Sequence, residues 1–426
     1  MAAVLEGIKV IDLSQVAAVP LCARHLADFG ADVLHIENPV TGDSFRGYQL
    51  SQEELRAAAP SEFGYNWENY NRNKRSVTVD VAQETGRDII YRFVEQADVL
   101  VTNFRPSELE RYRMDYKTLS MQNPRLVWGC VTGYGREGPE KDAPAYDATA
   151  LWYRSGIAHM LTMPGSVGAA MRPAFGDNIA ALVLAYGVML ALFQRERTGV
   201  GQEVDVSLLH TGLYQLGFDI AGALVTGLDY ADWRAEPPAE LVEQARAAMV
   251  PIAAFHRSRS NNPLVGAYIT SDARVIVIVA LQPDRYWGRV CRAIGREDMV
   301  DDSRYSTFEG RAEHCSELQQ LLADAFINKT LEEWKVLLAG VPFAAYQSLR
   351  EAVNDPQARA NGFFIPCEHP TQGSIDVIAS PVKLGKSPAT YRMPAPEFGQ
   401  HTEEVLLEYG YDWDDIIRFK EQGIIA

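Results

Sequence analysis

The first 135 residues alternate between strand-like and helix-like patterns, and this alternation constrains the fold more than any other feature of the chain. Helical spacing of apolar residues fills Pro20–Phe29, which Gly30 ends, and Glu84–Gln96. Short apolar runs typical of buried strands separate the helical segments: Ile8–Leu13, Ala31–Ile36, Val77–Val81, Asp98–Phe104 and Leu126–Thr132. Strands that alternate with helices indicate βαβ units. The sequence therefore predicts an α/β fold with a large, doubly wound parallel sheet.

A second, smaller α+β region follows from Leu264 onward. Two strand-like runs flank a Ser-Asp-Ala turn, helical segments come next, and a last strand pair closes the region: Gly266–Thr270, Val275–Ala280, Trp287–Ile294, Ser316–Phe326, Leu331–Leu338 and Ile375–Leu384. The acidic, Ala-rich stretch Ala231–Met249 is typical of a connection. We expect a large domain over residues 1–222, a linker and smaller domain over 223–400, and a helical segment over 401–426 that returns to the large domain.

Composition and charge exclude several function classes. The formal charge of −16 argues against a nucleic-acid or anionic-membrane partner. Five scattered cysteines without a CxxC pair indicate neither a disulfide framework nor a zinc site, and they favour the cytoplasm. The longest apolar run, Ile179–Phe193, falls short of the roughly 20 residues that span a bilayer. It predicts a helix buried on all sides.

Motifs exclude further chemistry. No GxGxxG opens the first helix, which disfavours a dinucleotide-dependent enzyme, and no HExxH supports a metal hydrolase. The segment RPAFGDNIAALVLAYGVMLALF (172–193) is more informative, because Asp177 follows Gly176 at the start of a long apolar helix. Backbone N–H groups and the helix dipole favour an anion there. One interpretation is a helix cap worth about 1 kcal/mol; the other is a nucleophile that Gly176 leaves open to a bulky substrate.

Eight fragments stand in order along the chain: LEGIKVIDLS, LADFGADVLHIE, GDSFRG, NRNKRSVTVD, ADVLVTNFRP, VTGYGREGP, AYDA and FGDN. Together they resemble the family III CoA-transferases, the CaiB/BaiF group that includes formyl-CoA, carnitine and bile-acid CoA-transferases. The resemblance runs from Leu5 to the C-terminal FGQHTEEVLLEYGY. It implies transfer of CoA from an acyl-CoA, with succinyl-CoA among the candidate donors, to an organic acid. It also implies no permanently bound cofactor and an interlocked dimer, either of one chain or with a homologous subunit.

In this family the Asp of the GD pair is the nucleophile, and Asp177 matches it. The implied reaction passes through an acyl-aspartyl anhydride and an aspartyl-CoA thioester, which the incoming acid resolves. The N–H groups at Asn178–Ile179 are candidate donors to the oxyanions.

The resemblance places the CoA site at the carboxyl ends of the first strands, where ligands collect in open α/β sheets. The residues carried over for substrate and CoA binding are Val16, Ala17, Asn103, Phe104, Arg105, Tyr146 and Asp147. Cationic candidates for the phosphates are Lys74, Arg75 and Arg111, for which a solvated surface charge is an equally good interpretation. The family's oxalate enzymes carry Gln at the position of Ala17 and a glycine-rich flap where this chain has SRSNNPLVGAY (258–268). Oxalate is therefore disfavoured as the acceptor.

Two other functions stay open. An α-methylacyl-CoA racemase needs an acid and a base on opposite faces of its substrate, and the family's histidine position holds Tyr146 here. A tyrosine with a pKa near 10 is a poor replacement, so transfer is favoured. His159 belongs to a different local pattern and is interpreted as structural. The other alternative is a non-catalytic subunit of a heteromeric transferase, which the presence of Asp177 argues against.

Aromatic residues cluster at two places, before NRNKRS and after AYDA: Phe63, Tyr65, Trp67, Tyr70, Trp152 and Tyr153. They are candidates for the wall of an apolar or aromatic acid site. The favoured interpretation is that they belong to the core.

Overall fold

A computed structural model of the chain describes residues 3–47, 64–162, 170–227, 261–370 and 372–426. The chain forms two compact units, the first made of Met1–His159, Ala170–Val225 and Pro356–Ala426, the second of Met160–Ala169 and Thr226–Asp355. The chain returns to the first unit at Pro356, earlier than the predicted position 401. The connection Ala231–Met249, the aromatic Phe63 and positions 258–260 lie outside the described residues.

The first unit is built on a six-stranded sheet with the order β3-β2-β1-β4-β5-β6, in which every neighbouring pair is parallel. The strands are β1 Lys9–Leu13, β2 Asp32–Glu37, β3 Arg75–Thr78, β4 Val99–Thr102, β5 Val127–Thr132 and β6 Glu203–Ser207. This topology confirms the predicted α/β fold. Strand β6 was not predicted from the sequence, because it is an edge strand that buries only Val206 and Ser207 and so has no apolar run.

Helices cover both faces of this sheet. From β1 to residue 226 the helices are, in chain order, α1 Ala18–Asp28, α2 Tyr65–Asn71, α3 Glu84–Val94, α4 Pro106–Tyr112, α5 Tyr116–Gln122, α6 Ile157–Leu161, α7 Phe175–Thr198, α8 Leu208–Gln215 and α9 Gly217–Thr226, of which α9 buries no residue. Side chains alternate across the sheet. Ile11 and Leu13 of β1 therefore belong to the core that α3 and the C-terminal helices complete, while Asp12 belongs to the opposite face.

Helix α7 is longer than predicted and is not buried on all sides. It packs on α1, β5 and β6 and buries Ala180, Leu184 and Val188 completely. Its opposite face is apolar but exposed in the single chain: 66% of Tyr186 and 59% of Phe193 are accessible. Length and composition alone would let α7 cross a membrane, but in this structure it lies against the sheet.

The second unit is a small α+β structure. Its strands β7 Val265–Ile269, β8 Val275–Val279 and β9 Phe343–Ala345 form an antiparallel sheet, which confirms the predicted hairpin. Its helices are α10 Pro283–Ala293, α11 Phe308–Glu313, α12 Cys315–Phe326, α13 Leu331–Leu337 and α14 Leu349–Ala352. Tyr268 stacks on Phe326, which packs in turn on Trp334, in the centre of the unit's core.

The C-terminal part of the chain completes the first unit. It contains α15 Pro356–Ala360, the antiparallel pair β10 Phe364–His369 and β11 Gly373–Ile378, α16 Thr402–Glu408 and α17 Trp413–Glu421. The last residues follow the edge of the sheet, where the Asp80 N–H donates to the Ile424 carbonyl (2.8 Å) and Ile425 is buried. Backbone bonds such as that between the Asn73 N–H and the Met393 carbonyl (3.0 Å) explain why the segment before position 401 belongs to this unit.

Candidate active site

A cleft of about 500 Å³ opens at the carboxyl ends of the parallel strands. Five consecutive loops contribute to its walls, with Val16 after β1, Asn38 after β2, Asp80 after β3, Asn103 after β4 and Gly133 after β5. Ligands of open α/β sheets bind at this edge, on either side of the point where the strand order reverses. The cleft is thus where the fold predicts a ligand.

Asp177 lies in the first turn of α7 and lines the cleft. Burial raises the pKa of Asp177 to about 8, and the negative charge of Asp147 adds to the rise. Among the described residues, no N–H or O–H group donates to the Asp177 carboxylate and no cation pairs with it. A carboxylate that is partly desolvated and keeps its lone pairs free is suited to nucleophilic attack.

Asp147 is buried beneath the start of α7 and caps it. Its carboxylate accepts hydrogen bonds from the N–H groups of Ala148 (2.8 Å) and Gly176 (3.2 Å). This cap is needed because the residue before the helix, Ala174, has no polar side chain and a left-handed φ of 61°. Burial raises the pKa of Asp147, while the backbone donors oppose that rise.

The segment after Asp147 explains the glycine at position 176. Residues Ala148–Tyr153 form a π-helix, a rare element that is frequent at functional sites. A Cβ on Gly176 would lie 2.9 Å from Leu151 and 3.1 Å from Asp147. Gly176 therefore allows α7 to pack closely on the π-helix, a role that differs from the expected one of leaving room for a thioester.

One of the two expected oxyanion donors at the start of α7, the Asn178 N–H, is already engaged. The Asn178 N–H donates to the Ala174 carbonyl (3.0 Å), and the Asn178 side-chain oxygen accepts from the Tyr70 hydroxyl (2.6 Å). Tyr70 thus fixes the residue next to Asp177 from α2. Neither Tyr70 nor Trp67 lines the cleft, and both are buried, as the core interpretation of the aromatic cluster predicts.

The loop between β1 and α1 holds a strained residue at the cleft. Val16 has a φ of 72°, a left-handed conformation that costs a β-branched residue on the order of 1–3 kcal/mol. Its N–H donates to both oxygens of the buried Asp43 carboxylate, at 3.0 and 3.2 Å. Asn103 holds the same loop from the other side, since its amide donates to the Gln15 carbonyl (2.7 Å).

The structure brings most of the predicted site residues together. Seven of them line the cleft: Val16, Ala17, Asn103, Phe104, Arg105, Tyr146 and Asp177. Asp147 lies behind the start of α7 and does not line it. Lys141 lines the cleft and was missed, since it stands in a loop whose sequence carries no distinguishing signal.

The other predicted cations lie elsewhere. Arg75 is at the amino end of β3, the opposite edge of the sheet, where it pairs with Asp32 (2.7 Å) and Glu408 (2.9 Å). Lys74 is fully buried and bonds to Asp12 (2.8 Å). Arg111 lies on the exposed side of α4, over the Tyr112 ring. Tyr112 lines the cleft, but Arg111 does not. A sequence motif shows that a residue is basic but not at which end of a strand its side chain lies, so these cations were predicted at the cleft.

Comparison with known proteins decides between the chemistries that such a cleft could support. A model of CoA-transferase family III matches residues 5–402 of the chain. The chain belongs to CoA-transferase family III. The family assignment confirms the resemblance seen in the sequence fragments, and it makes this protein an enzyme of the CoA-transferase class, whose substrates are CoA thioesters.

Relatives of this family III enzyme are similar over their whole length. The (R)-2-hydroxy-4-methylpentanoate CoA-transferase of Clostridioides difficile is 33% identical, with 99% of each chain covered. The cinnamoyl-CoA:phenyllactate CoA-transferase of Clostridium sporogenes is 32% identical, covering 96% of this chain and 94% of that one. The crystal structure of a CaiB/BaiF family protein from Brucella suis has a TM-score of 0.74 at 25% identity, covering 96% of this chain and 100% of that one.

The cleft also bears on the racemase alternative. None of the described residues that line it is a histidine. His159 lies on α6 and is exposed, away from the lining. Tyr146 lines the cleft with 69% of its surface accessible. Within the described part of the chain, no group of His, Cys, Asp and Glu residues is arranged to hold a metal ion.

Proposed function

We propose that this CoA-transferase moves CoA from an acyl-CoA to an organic carboxylic acid through a covalent intermediate on Asp177. The observation that carries the proposal is the place of Asp177, a carboxylate without hydrogen-bond donors among the described residues, in the lining of the cleft at the carboxyl edge of the sheet. Asp147 holds the helix turn that presents it.

The reaction divides one exchange into balanced steps. The Asp177 carboxylate attacks the thioester carbonyl, the C–S bond breaks, and an acyl-aspartyl anhydride and CoA thiolate form. The thiolate attacks the aspartyl carbonyl, which releases the donor acid as a carboxylate and leaves an aspartyl-CoA thioester. The acceptor carboxylate repeats these steps in reverse and leaves as its CoA ester, which regenerates Asp177. The exchange requires no net proton transfer and no metal, oxidant or reductant.

Two cationic side chains of the cleft are suited to the CoA phosphates. Lys141 is exposed and has no ion-pair partner among the described residues. Arg105 is half exposed, and its contact with Glu108 is a long one of 4.0 Å. Both are free to turn toward an anionic ligand. We therefore assign the phosphates to Arg105 and Lys141 rather than to Lys74, Arg75 and Arg111.

Similarity guides the choice of substrates to test. Two relatives that match over nearly their whole length are named for the 2-hydroxy acids 2-hydroxy-4-methylpentanoate and phenyllactate, and others for succinyl-CoA with glutarate, malate or citramalate. We propose a 2-hydroxy acid as acceptor. The test is a matrix of acyl-CoA donors against these acids, with the CoA products identified by mass spectrometry. Acid-dependent formation of a new CoA ester supports the proposal, and hydrolysis to free CoA with no such product would contradict it.

Incubation in heavy water separates transfer from racemisation. A chiral 2-methylacyl-CoA offered without an acceptor acid should keep its α-hydrogen, because none of the described residues that line the cleft is a histidine. Rapid deuterium uptake at the α-carbon would instead assign the protein to the racemases.

The exposed apolar face of α7 supports a dimer. We propose that two copies interlock and cover that face, together with α9, on which Phe218 and Val225 are 95% and 86% accessible. The alternative of a homologous second subunit is kept, since one relative is named as the beta subunit of a malate CoA-transferase.

We propose that the protein is located in the cytoplasm, because all five of its cysteines are unpaired.

A further inference from the structure

Four charged side chains are buried in a row behind the loop between β1 and α1. Asp12 of β1 and His35 of β2 are neighbours in register, and their side chains meet at 2.8 Å. Lys74 reaches the same Asp12 oxygen (2.8 Å). The other ring nitrogen of His35 faces Asp43 at 3.4 Å. All four side chains are at least 97% buried, and with His35 protonated their charges cancel.

The geometry favours a protonated His35. Both of its ring nitrogens face carboxylates, which a neutral imidazole could satisfy only once. Burial by itself lowers the pKa of His35, but Asp12 and Asp43 override that effect and raise it to about 9, against an opposing contribution from Lys74. The negative charge of Glu37 also acts on His35. The Trp67 ring packs edge-on against the His35 ring.

The row ends at the cleft. The Asp43 carboxylate accepts the N–H of Val16 (3.0 Å) and the N–H of Phe45 (2.8 Å). Val16 is the residue with the left-handed φ, and Ala17 and Ala18 after it lead into α1 and line the cleft. Ala17 stands at the N-cap of α1 and has no side chain that could fix the turn. Glycine is the usual residue for such a conformation; here a buried carboxylate holds a valine in its place.

We propose that Asp43 is a positioning residue, which with His35, Asp12 and Lys74 behind it holds Val16 in the left-handed conformation and so shapes the first wall of the acyl-CoA site. The inference rests on the proposed function, since it assigns the cleft to acyl-CoA. The neighbouring charge that acts on Asp177 is that of Asp147 and not one of the row, so loss of the row should affect binding more than the chemical steps.

The test is a pair of variants measured singly and together. Asp43→Asn keeps one acceptor oxygen but places an amide group against either Val16 or His35. We expect its KM for acyl-CoA to rise about tenfold with kcat changed less than about threefold. Val16→Gly adopts the same φ without help, so in that background Asp43→Asn should raise KM less than about threefold. Equal increases in both backgrounds would overturn the proposal.

Asp98→Asn is the matched control. Asp98 also accepts a backbone N–H, that of Lys9 (2.8 Å), and pairs with the buried Arg195 (3.0 Å), but at the opposite edge of the sheet. The Asp98→Asn variant should have a lower melting temperature than the wild-type enzyme but the same KM for acyl-CoA. An increase in KM equal to that of Asp43→Asn would overturn the inference. If Asp43→Asn does not fold, His35→Gln gives the same readout. A wild-type enzyme without acid-dependent transfer would refute the proposed function, whereas normal transfer with an unchanged KM in the variants would refute only the positioning role.

Discussion

At the scale of single residues, the site depends on two carboxylates with different tasks. Asp147 is capped by backbone N–H groups and supports the start of α7, whereas Asp177 receives no donor among the described residues. Both carry a raised pKa, as is common where charged groups are held for chemistry rather than for stability. In the proposed mechanism, Asp147 gives structural support and Asp177 is the reactive group.

This pair predicts the pH dependence of the reaction. Attack requires the ionised Asp177, whose pKa lies at about 8 because of burial and the charge of Asp147. The kcat/KM for acyl-CoA should therefore rise about tenfold per unit of pH below that value and level off above it. Asp147→Asn removes the neighbouring charge while keeping an acceptor oxygen, so the rising limb should move to lower pH. A flat wild-type profile between about pH 6 and 9 would contradict this assignment.

At the scale of elements, the site depends on how closely α7 packs against the π-helix Ala148–Tyr153. Gly176 is buried between them, and the space for a side chain there is already filled by Leu151 and Asp147. The start of α7 is thus fixed by contact on one side and by the Tyr70–Asn178 hydrogen bond on the other.

Gly176→Ala tests this packing. The added Cβ would lie 2.9 Å from Leu151, so the π-helix or α7 must shift and Asp147 should lose its hold on the helix. We expect a loss of about 1–3 kcal/mol in the free energy of unfolding and at least a tenfold lower kcat. Gly288→Ala in α10 is the control, because a Cβ there would lie at an ordinary distance of 3.6 Å from both Arg292 and Val300. It should leave activity unchanged; an active, stable Gly176→Ala enzyme would refute the packing argument.

The sequence predicted elements where patterns are strong and local. The runs that form β1, β2 and β5 are continuous and apolar because those strands are buried, so each was placed to within a residue or two. The edge strand β6 has no such run. The motif predicted Asp177, which lines the cleft. Nothing in the sequence indicated Lys141, and Arg75 was misplaced, because the distance of a cation from the cleft depends on tertiary packing.

At the scale of the whole molecule, one apolar face of α7 is left uncovered in the single chain. Leu182, Tyr186, Leu190 and Phe193 recur at helical spacing and are all exposed in the single chain. An exposed apolar stripe of this kind marks an association surface. The net charge of −16 acts against nonspecific self-association, so a specific partner surface is expected.

Sedimentation at decreasing concentration tests the interlocked dimer. Because interlocked chains cannot separate without unfolding, the dimer should persist to nanomolar concentration with no folded monomer. A compact species of 47.3 kDa that keeps its circular dichroism would contradict it. Tyr186→Glu, which places a charge in the covered face, should reduce the yield of dimer, whereas the same substitution at the exposed Tyr153 should not. A native species with a second, different chain would refute the homodimer but not the interlocking.

The most direct test of the account is the covalent state of Asp177. Wild-type enzyme is incubated with acyl-CoA and then with hydroxylamine, digested, and its peptides are examined by mass spectrometry, with Asp177→Asn and Asp147→Asn treated in parallel. Modification should appear at Asp177 in the wild-type enzyme, and the Asp177→Asn variant should fold normally yet lose essentially all exchange. Modification at another residue, or substantial transfer by Asp177→Asn under conditions that exclude deamidation, would contradict the central claim.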